Sequence, residues 1–302
     1  TQLLAMRCGK LFAPLFALLC AGLPAAAAQG EVRISVQKVA EGLHMLVGRG
    51  GNIAISTGAD GPLIVDDQFA PLAPKIEAAV REIQDAPLRF VLNTHWHGDH
   101  TGGNEIFGGK GALIAAHHNV RARLSAKQFS SVFERETPAA PDAALPVLTF
   151  EDGMTLHWNG EEIEVQHAAR AHTDGDSIVW FRRANAVHLG DLYFNGLWPF
   201  IDVDSGGSLD GAIAALGEAL TRLNRRSKVI PGHGPLSNRR ELRAYHKMLM
   251  ELRARVKRAI AEGADAEALS RSGVADDLEE RWGGGFLDTA TFLRILHADL
   301  SR

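Results

Sequence analysis

Asn93-Thr94-His95-Trp96-His97-Gly98-Asp99-His100-Thr101-Gly102-Gly103-Asn104 is the stretch on which both the architecture and the chemistry turn. Within six residues it sets out His95, His97, Asp99 and His100. Histidine nitrogen and carboxylate oxygen are the donors that zinc and its first-row neighbours take where no thiolate is offered. A lone histidine on a loop is ordinarily a solvated polar residue, but four ligand-type side chains at this spacing point to a metal site. Just upstream, Leu88-Arg89-Phe90-Val91-Leu92 follows Pro87 and reads as a short buried strand. The cluster therefore leaves a strand end, where Gly98, Gly102 and Gly103 let the backbone turn tightly. Such loops carry function on a rigid scaffold.

Working outward, Val32, Ile34 and Val36, then Leu43, Met45 and Val47, alternate with other residues. With Ile53, Ile55 and the run Leu63-Ile64-Val65 they predict an antiparallel meander ending at Asp66-Asp67. Leu72, Ile76, Ala79, Val80 and Ile83 fall at helical spacing after Pro71. Downstream, Ala112 to Ala115 reads as a strand and about Asn119 to Phe133 as a helix. Thr137 to Pro146, with three prolines, reads as a surface connection. A second strand-rich stretch covers 154–158, 162–165, 177–181 and 186–189. Leu209, Ile213, Leu216, Leu220 and Leu223 then form an amphipathic helix capped by Ser208. Lys228 to Ile230 is a last strand. From Asn238, with Glu241 three residues on, the chain turns helical, and Leu242, Tyr245, Leu249, Leu252 and Val256 share one face. Two β-rich halves, each with helices, predict an α+β fold: two sheets packed as a sandwich with helices on both outer faces. The expected domain spans residues 29–240, with a helical extension over 241–302 packed on or beside it.

The 302 residues are 46% hydrophobic and 23% charged, as in ordinary globular proteins. A net charge of −4 offers no basic field to nucleic acid. Residues 1–28 read as a secretory signal peptide: Arg7 and Lys10, an apolar run from Leu11 to Leu23, then Pro24 and Ala25 to Ala28. The run is too short for a membrane anchor and is broken by Pro14 and Gly22. The expected location is periplasmic or secreted, with no stable membrane anchor after cleavage. Cys8 and Cys20 both lie in this segment, and Leu19 stands where a lipoprotein needs a small residue. A chain cut after Ala28 has no disulfide and no thiolate to give a metal.

Further ligand types sit in turns at other strand ends. His172 lies in Ala171-His172-Thr173-Asp174-Gly175-Asp176, Asp191 in Leu189-Gly190-Asp191-Leu192, and His233 in Pro231-Gly232-His233-Gly234. Singly, each reads as a structural turn residue. In this order after the 93–104 loop, they resemble the metallo-β-lactamase superfamily over nearly all of the chain from residue 29 to about 240. The resemblance implies a four-layer αββα sandwich with a dinuclear site at one edge of the sheets. It implies that His95, His97 and His172 hold one metal, that Asp99, His100 and His233 hold the other, and that Asp191 bridges them. Asp66 matches an aspartate that supports the ligand loop from behind, although alone it reads equally as a strand-end turn residue. One branch of β-lactamases takes a cysteine near the position of Asp191. True lactamases in general lack the bridging aspartate, which glyoxalase-II-like thioesterases, lactonases and generic hydrolases carry. Acyl-homoserine lactonases place a tyrosine three residues after it; here Tyr193 is two residues on and Phe194 third. The generic hydrolase branch fits these departures.

Two divalent ions about 3.5–4 Å apart share a hydroxide whose parent water has a pKa of about 7. The expected cofactors are two Zn²⁺, with Fe or Mn also suited to the oxygen-rich second set. The expected activity is hydrolysis of a small carbonyl substrate, a β-lactam, lactone or thioester, with Asp99 orienting the hydroxide and relaying its proton. Gly206-Gly207-Ser208 is no nucleophile elbow. The aromatic stretch with Tyr193 and Trp198 is expected to form one pocket wall and Phe69 the opposite one; a hydrophobic cover on the sheet edge reads equally well. Competing readings are an iron-dependent redox relative, akin to sulfur dioxygenases or flavodiiron proteins, and a non-catalytic metal-binding protein. Among other histidines, His117 and His118 read as turn residues, His44, His157 and His188 as strand residues, and His167 as an ordinary packed or surface residue, with a place behind the ligands the lesser alternative. Mass spectrometry of exported protein should find an N-terminus close to Gln29; a retained 1–28 segment would refute the cleavage assignment.

Overall fold

The alternation read from Val32 to Val65 folds as a meander. β1 (Ser35–Ala40) pairs antiparallel with β2 (Leu43–Val47), β2 with β3 (Ile53–Ser56), and β3 with β4 (Leu63–Val65). As the edge strand, β1 leaves Val36 exposed. Helix α1 (Ala73–Ile83) then carries the chain across to β5 (Phe90–Leu92), which runs parallel to β4. Two short helices, α2 (Gly98–Thr101) and α3 (Asn104–Gly109), lead to β6 (Leu113–His117), parallel to β5. After α4 (His118–Leu124), a hairpin of β7 (Gln128–Ser130) and β8 (Arg135–Thr137) precedes β9 (Leu148–Phe150). The first sheet has seven strands, in the order β1-β2-β3-β4-β5-β6-β9.

The second sheet has six strands in sequence order, β10 (Gly153–Trp158), β11 (Glu161–Ala168), β12 (Asp176–Phe181), β13 (Ala186–His188), β14 (Lys228–Ile230) and β15 (Ser237–Asn238). All pairs are antiparallel except β13 with β14, which α5 (Leu209–Arg222) joins as a parallel crossover. Four helices follow: α6 (Arg239–Ala261), α7 (Ala266–Ser270), α8 (Asp276–Trp282) and α9 (Thr289–Leu300).

The period-2 pattern sorts side chains into layers. Met45, Ala54, Val65 and Leu92 meet Val165, Val179, Phe181 and Ile230 between the sheets. Their neighbours Leu46, Ile53, Ile55 and Ile64 face the other way, onto Ile76 and Val80 of α1 and Phe107 of α3. On the second sheet Ile178, Trp180, Val187 and Val229 point outward to Leu216 and Leu220 of α5 and to Leu242, Tyr245 and Leu249 of α6. The result is the expected αββα sandwich.

The computed structural model describes Val32–Arg302, a single unit; the expected signal segment, residues 1–28, lies outside the described residues. Among the described residues no helix is long and apolar enough to cross a membrane. The line drawn at residue 240 separates sheet-bearing from helical sequence, but the helices beyond it share the core on the second sheet. Asn238 caps α6 as its sequence suggests, accepting from the N–H groups of Arg240 and Glu241. Ser208 precedes α5 without a side-chain bond. The N–H of Leu209 donates instead to Asp299 of α9, 2.7 Å away. The helix expected to reach Phe133 stops at Leu124, because the Gln128 amide donates to the carbonyls of Arg123 and Ala126 and turns the chain into β7.

Because α6 is part of the core, Leu249→Ala should destabilise the whole unit by about 2–5 kcal/mol. Chemical unfolding should remain one transition at lower denaturant; a separate early transition for the helices would contradict the shared core.

Candidate metal centre

The ligand-type residues converge because strand directions agree. β4 and β5 are parallel, as are β13 and β14, and β11 shares the direction of β13 across antiparallel β12. The turns after β5, β11, β13 and β14 thus open at one rim, bearing the 95–100 cluster, His172, Asp191 and His233 respectively. The two sheets are bolted together there. The Asn52 side chain donates to the carbonyls of Pro231 (2.9 Å) and Gly234 (2.8 Å), and the Ser177 N–H donates to Thr94 (2.8 Å). His188 Nε2 meets the Asn52 carbonyl at 2.9 Å. A side chain on Gly51 would collide with the His100 ring, and one on Gly232 with the Asp191 carboxylate, so both close approaches require glycine.

Two clusters form. His95, His97, His172 and Asp191 each offer one donor atom, all within 4.8 Å of one another, and so do Asp99, His100 and His233. Asp191 stands between them. Its Oδ2 is 3.7 Å from His172 Nε2 and 3.9 Å from His95 Nε2, and also 3.4 Å from His233 Nε2; its Oδ1 is 3.1 Å from His100 Nε2. Asp99 Oδ2 lies 3.3 Å from His233 Nε2 and 3.6 Å from His100 Nε2.

The outer ring nitrogens decide what the inner ones can do. The Thr94 hydroxyl donates to Asp66 Oδ2 at 2.7 Å, so it accepts from His95 Nδ1–H at 3.0 Å. His100 Nδ1 donates to the same Asp66 oxygen (2.8 Å), His97 Nε2 to Asp202 (2.8 Å), and His172 Nδ1 to the Phe200 carbonyl (2.6 Å). A neutral imidazole whose one nitrogen donates has a lone pair on the other. Those lone pairs point inward: His97 Nδ1 and His172 Nε2 face each other at 2.9 Å, and His95 Nε2 is buried with no hydrogen-bond partner. Facing lone pairs repel unless a cation sits among them, and the donor set, nitrogen and carboxylate without thiolate, is one that zinc, iron or manganese accepts.

Electrostatics agree. Burial opposes ionisation of Asp202, but the hydrogen bond it accepts from His97 outweighs that and holds it at about 2. Burial lowers His172 to about 4, leaving it a neutral donor. His233 behaves oppositely: burial disfavours its charge, yet Asp191 and Asp99 raise it to about 9. The carboxylates in the second cluster thus demand positive charge, which protons or a divalent ion can supply.

All seven ligand-type residues meet here, and Asp66 touches Thr94 and His100 from behind. A cavity of 560 Å³ opens beside them, lined among others by Phe69, Trp96, Asp99, Phe129, Phe133, Phe200 and Phe286. Phe69 is in the expected wall, but Tyr193 and Trp198 are not. Tyr193 is fully buried, its hydroxyl tied to Ser237 and Asn195, and Trp198 stacks on Phe292 and donates to Thr289. Their rings follow the apolar core under α6 and α9 rather than the rim. His167 lies away from the ligands, in keeping with its ordinary reading, stacked on His117 with centroids 3.7 Å apart. Sequence reading missed Asp202, Asn52 and Thr94; only Thr94, next to His95, carried a signal of position.

The chain matches the family model described as metallo-beta-lactamase superfamily over residues 45–233. A hydroxyacylglutathione hydrolase from Polaromonas sp. is 27% identical over 169 residues, 56% of this chain, and the match spans 57% of that protein's length. Among solved structures, a metallo-beta-lactamase from Pontibacter korlensis superposes with a TM-score of 0.60 at 17% identity, covering 72% of this chain and 99% of that one. The sec-alkylsulfatase Pisa1 from Pseudomonas sp. superposes at 0.63 and 17% identity, over 87% of this chain and 50% of that one. These structural likenesses are of fold.

Since Asp66 orients both His100 and, through Thr94, His95, Asp66→Ala should weaken metal binding about 10–100-fold. Competition with a chromogenic chelator measures this; unchanged affinity would show that the aspartate does not tune the centre.

Proposed function

The chain belongs to the metallo-beta-lactamase superfamily, and from that membership and the geometry of the centre we propose that it is an exported metal-dependent hydrolase holding two zinc ions. The observation that carries this reading is the set of inward imidazole lone pairs with Asp191 standing between the two ligand clusters. His95, His97 and His172 would hold one ion, Asp99, His100 and His233 the other, and Asp191 would serve both. Bound there, divalent ions supply a water of lowered pKa, near about 7, and polarise a carbonyl; iron or manganese suits the same donors.

The chain's own residues do the remaining work. Asp202 and the Phe200 carbonyl keep His97 and His172 in the tautomers that present a nitrogen inward. Asp99 lines the cavity and is placed to take a proton from an attacking water and return it to the leaving heteroatom. The substrate is a small carbonyl compound, a β-lactam, lactone or thioester, and the aspartate between the clusters favours the latter two. The hydrolase named among the relatives supports hydrolysis, and the basic, apolar, small-residue succession of residues 1–28 supports export.

Removing metal with a chelator should abolish hydrolysis of chromogenic β-lactam, lactone or thioester substrates, and Zn²⁺ should restore it. Asp191→Ala should lower the metal content from two ions toward one. Full turnover by rigorously metal-free protein, or two ions retained with activity intact in that variant, would overturn the reading.

A further inference from the structure

Phe69, Phe129, Phe133 and Phe286 are the four strongly exposed phenylalanines among the described residues, and all four line the cavity beside the ligands. Exposed aromatic side chains cost solvation, and their gathering at one opening marks a surface that a ligand covers. They come from three separate segments. Phe69 follows β4, Phe129 and Phe133 belong to the β7–β8 hairpin, and Phe286 sits between α8 and α9, in the C-terminal helical part.

The last of these is delivered by a specific local structure. Gly283-Gly284-Gly285 runs between Trp282, which is buried against Tyr245, and buried Leu287. A Cβ on Gly285 would come within 3.3 Å of Leu197, so the small residue lets this segment lie close over the 193–200 turn. Phe286 is left 58% exposed, its ring 6.4 Å from each of Phe133, Phe194 and Phe200. Phe133 in turn sits 5.2 Å from Phe200, and Phe200 stacks on the ligand-type His97. A continuous aromatic surface therefore runs from the ligands outward to Phe286.

We propose that this surface receives a bulky apolar group, aryl or alkyl, attached to the substrate's reacting carbonyl, and that Phe133 and Phe286 set the preference for it. The assignment of a reacting carbonyl rests on the hydrolase reading above. A substrate with only a small or strongly polar group next to the carbonyl would leave the aromatic rim wet.

Acetate and phenylacetate test the assignment without turnover. Both offer the same carboxylate to the metal-loaded centre, so the ratio of their affinities reports the cavity alone. Calorimetry on the metal-loaded protein should give phenylacetate at least about tenfold tighter binding than acetate, as expected for burying an aromatic group. Phe286→Ala and Phe133→Ala should each reduce that ratio severalfold with metal content unchanged, and Phe286→Trp should keep it. Equal affinity for the two acids, or a ratio unaltered in the double alanine variant, would overturn the proposal. The two readings separate in a parallel assay of acetyl and phenylacetyl thioesters. Preferential binding without any hydrolysis refutes the hydrolase reading and supports the cavity; hydrolysis of both at equal kcat/KM with equal binding refutes the cavity assignment alone.

Discussion

Imidazoles whose outer nitrogens are committed to hydrogen bonds have one lone pair left, and here those lone pairs are forced to face one another. Around the first cluster Thr94, Asp202 and the Phe200 carbonyl impose the tautomers of His95, His97 and His172, and burial of His95 and His172 removes water as a competing partner. Such an arrangement is unfavourable by itself. The folded chain tolerates it because the surrounding sheets and hydrogen bonds over-determine the positions of the rings, and a cation at their centre relieves it. Asp191 and Asp99 add the carboxylates that make the relief strongest for a divalent ion.

The rest of the architecture serves to hold that rim. Parallel pairing of β4 with β5, and of β13 with β14, sends their following turns in one direction. The layer between the sheets, from Met45 and Leu92 to Val179 and Ile230, fixes their spacing. The Asn52 and His188 side chains then bond to backbone carbonyls across the gap. The C-terminal helices pack on the outer face of the second sheet and reach round to the cavity through Phe286, so they belong both to the core and to the opening.

Much of this was legible in the sequence for a physical reason. Strand periodicity of two and helix periodicity near 3.6 are local signals, and most strands of both sheets, α1, α5 and α6 follow from them, whereas the short edge strands β9 and β15 carry no such pattern. The ligand cluster was legible because its donors are adjacent, whereas His172, Asp191 and His233 gained meaning only from their order along the chain. What was lost depended on direction or distance. Tyr193 and Trp198 are as aromatic as a pocket wall, but composition does not say which way a ring turns, and both turn into the core. The helix expected to reach Phe133 ends early because the Gln128 side chain acts on backbone carbonyls, a contact that no run of residue types announces. Asp202 binds a histidine 105 positions away in the chain, and no local pattern announces such a partner.

That distribution of donors has a consequence for how the molecule matures. His95, His97, Asp99 and His100 are delivered by the first sheet, but His172, Asp191 and His233 come from the second, and His233 lies 133 positions after His100. A chain emerging from its N-terminal end has a half-set of donors long before it has an enclosed one. Full coordination of a metal would therefore come last in assembly, and would check that both halves have docked in register. A metal bound there would act as a seal on a finished product, and a misfolded or cut chain would be left unsealed.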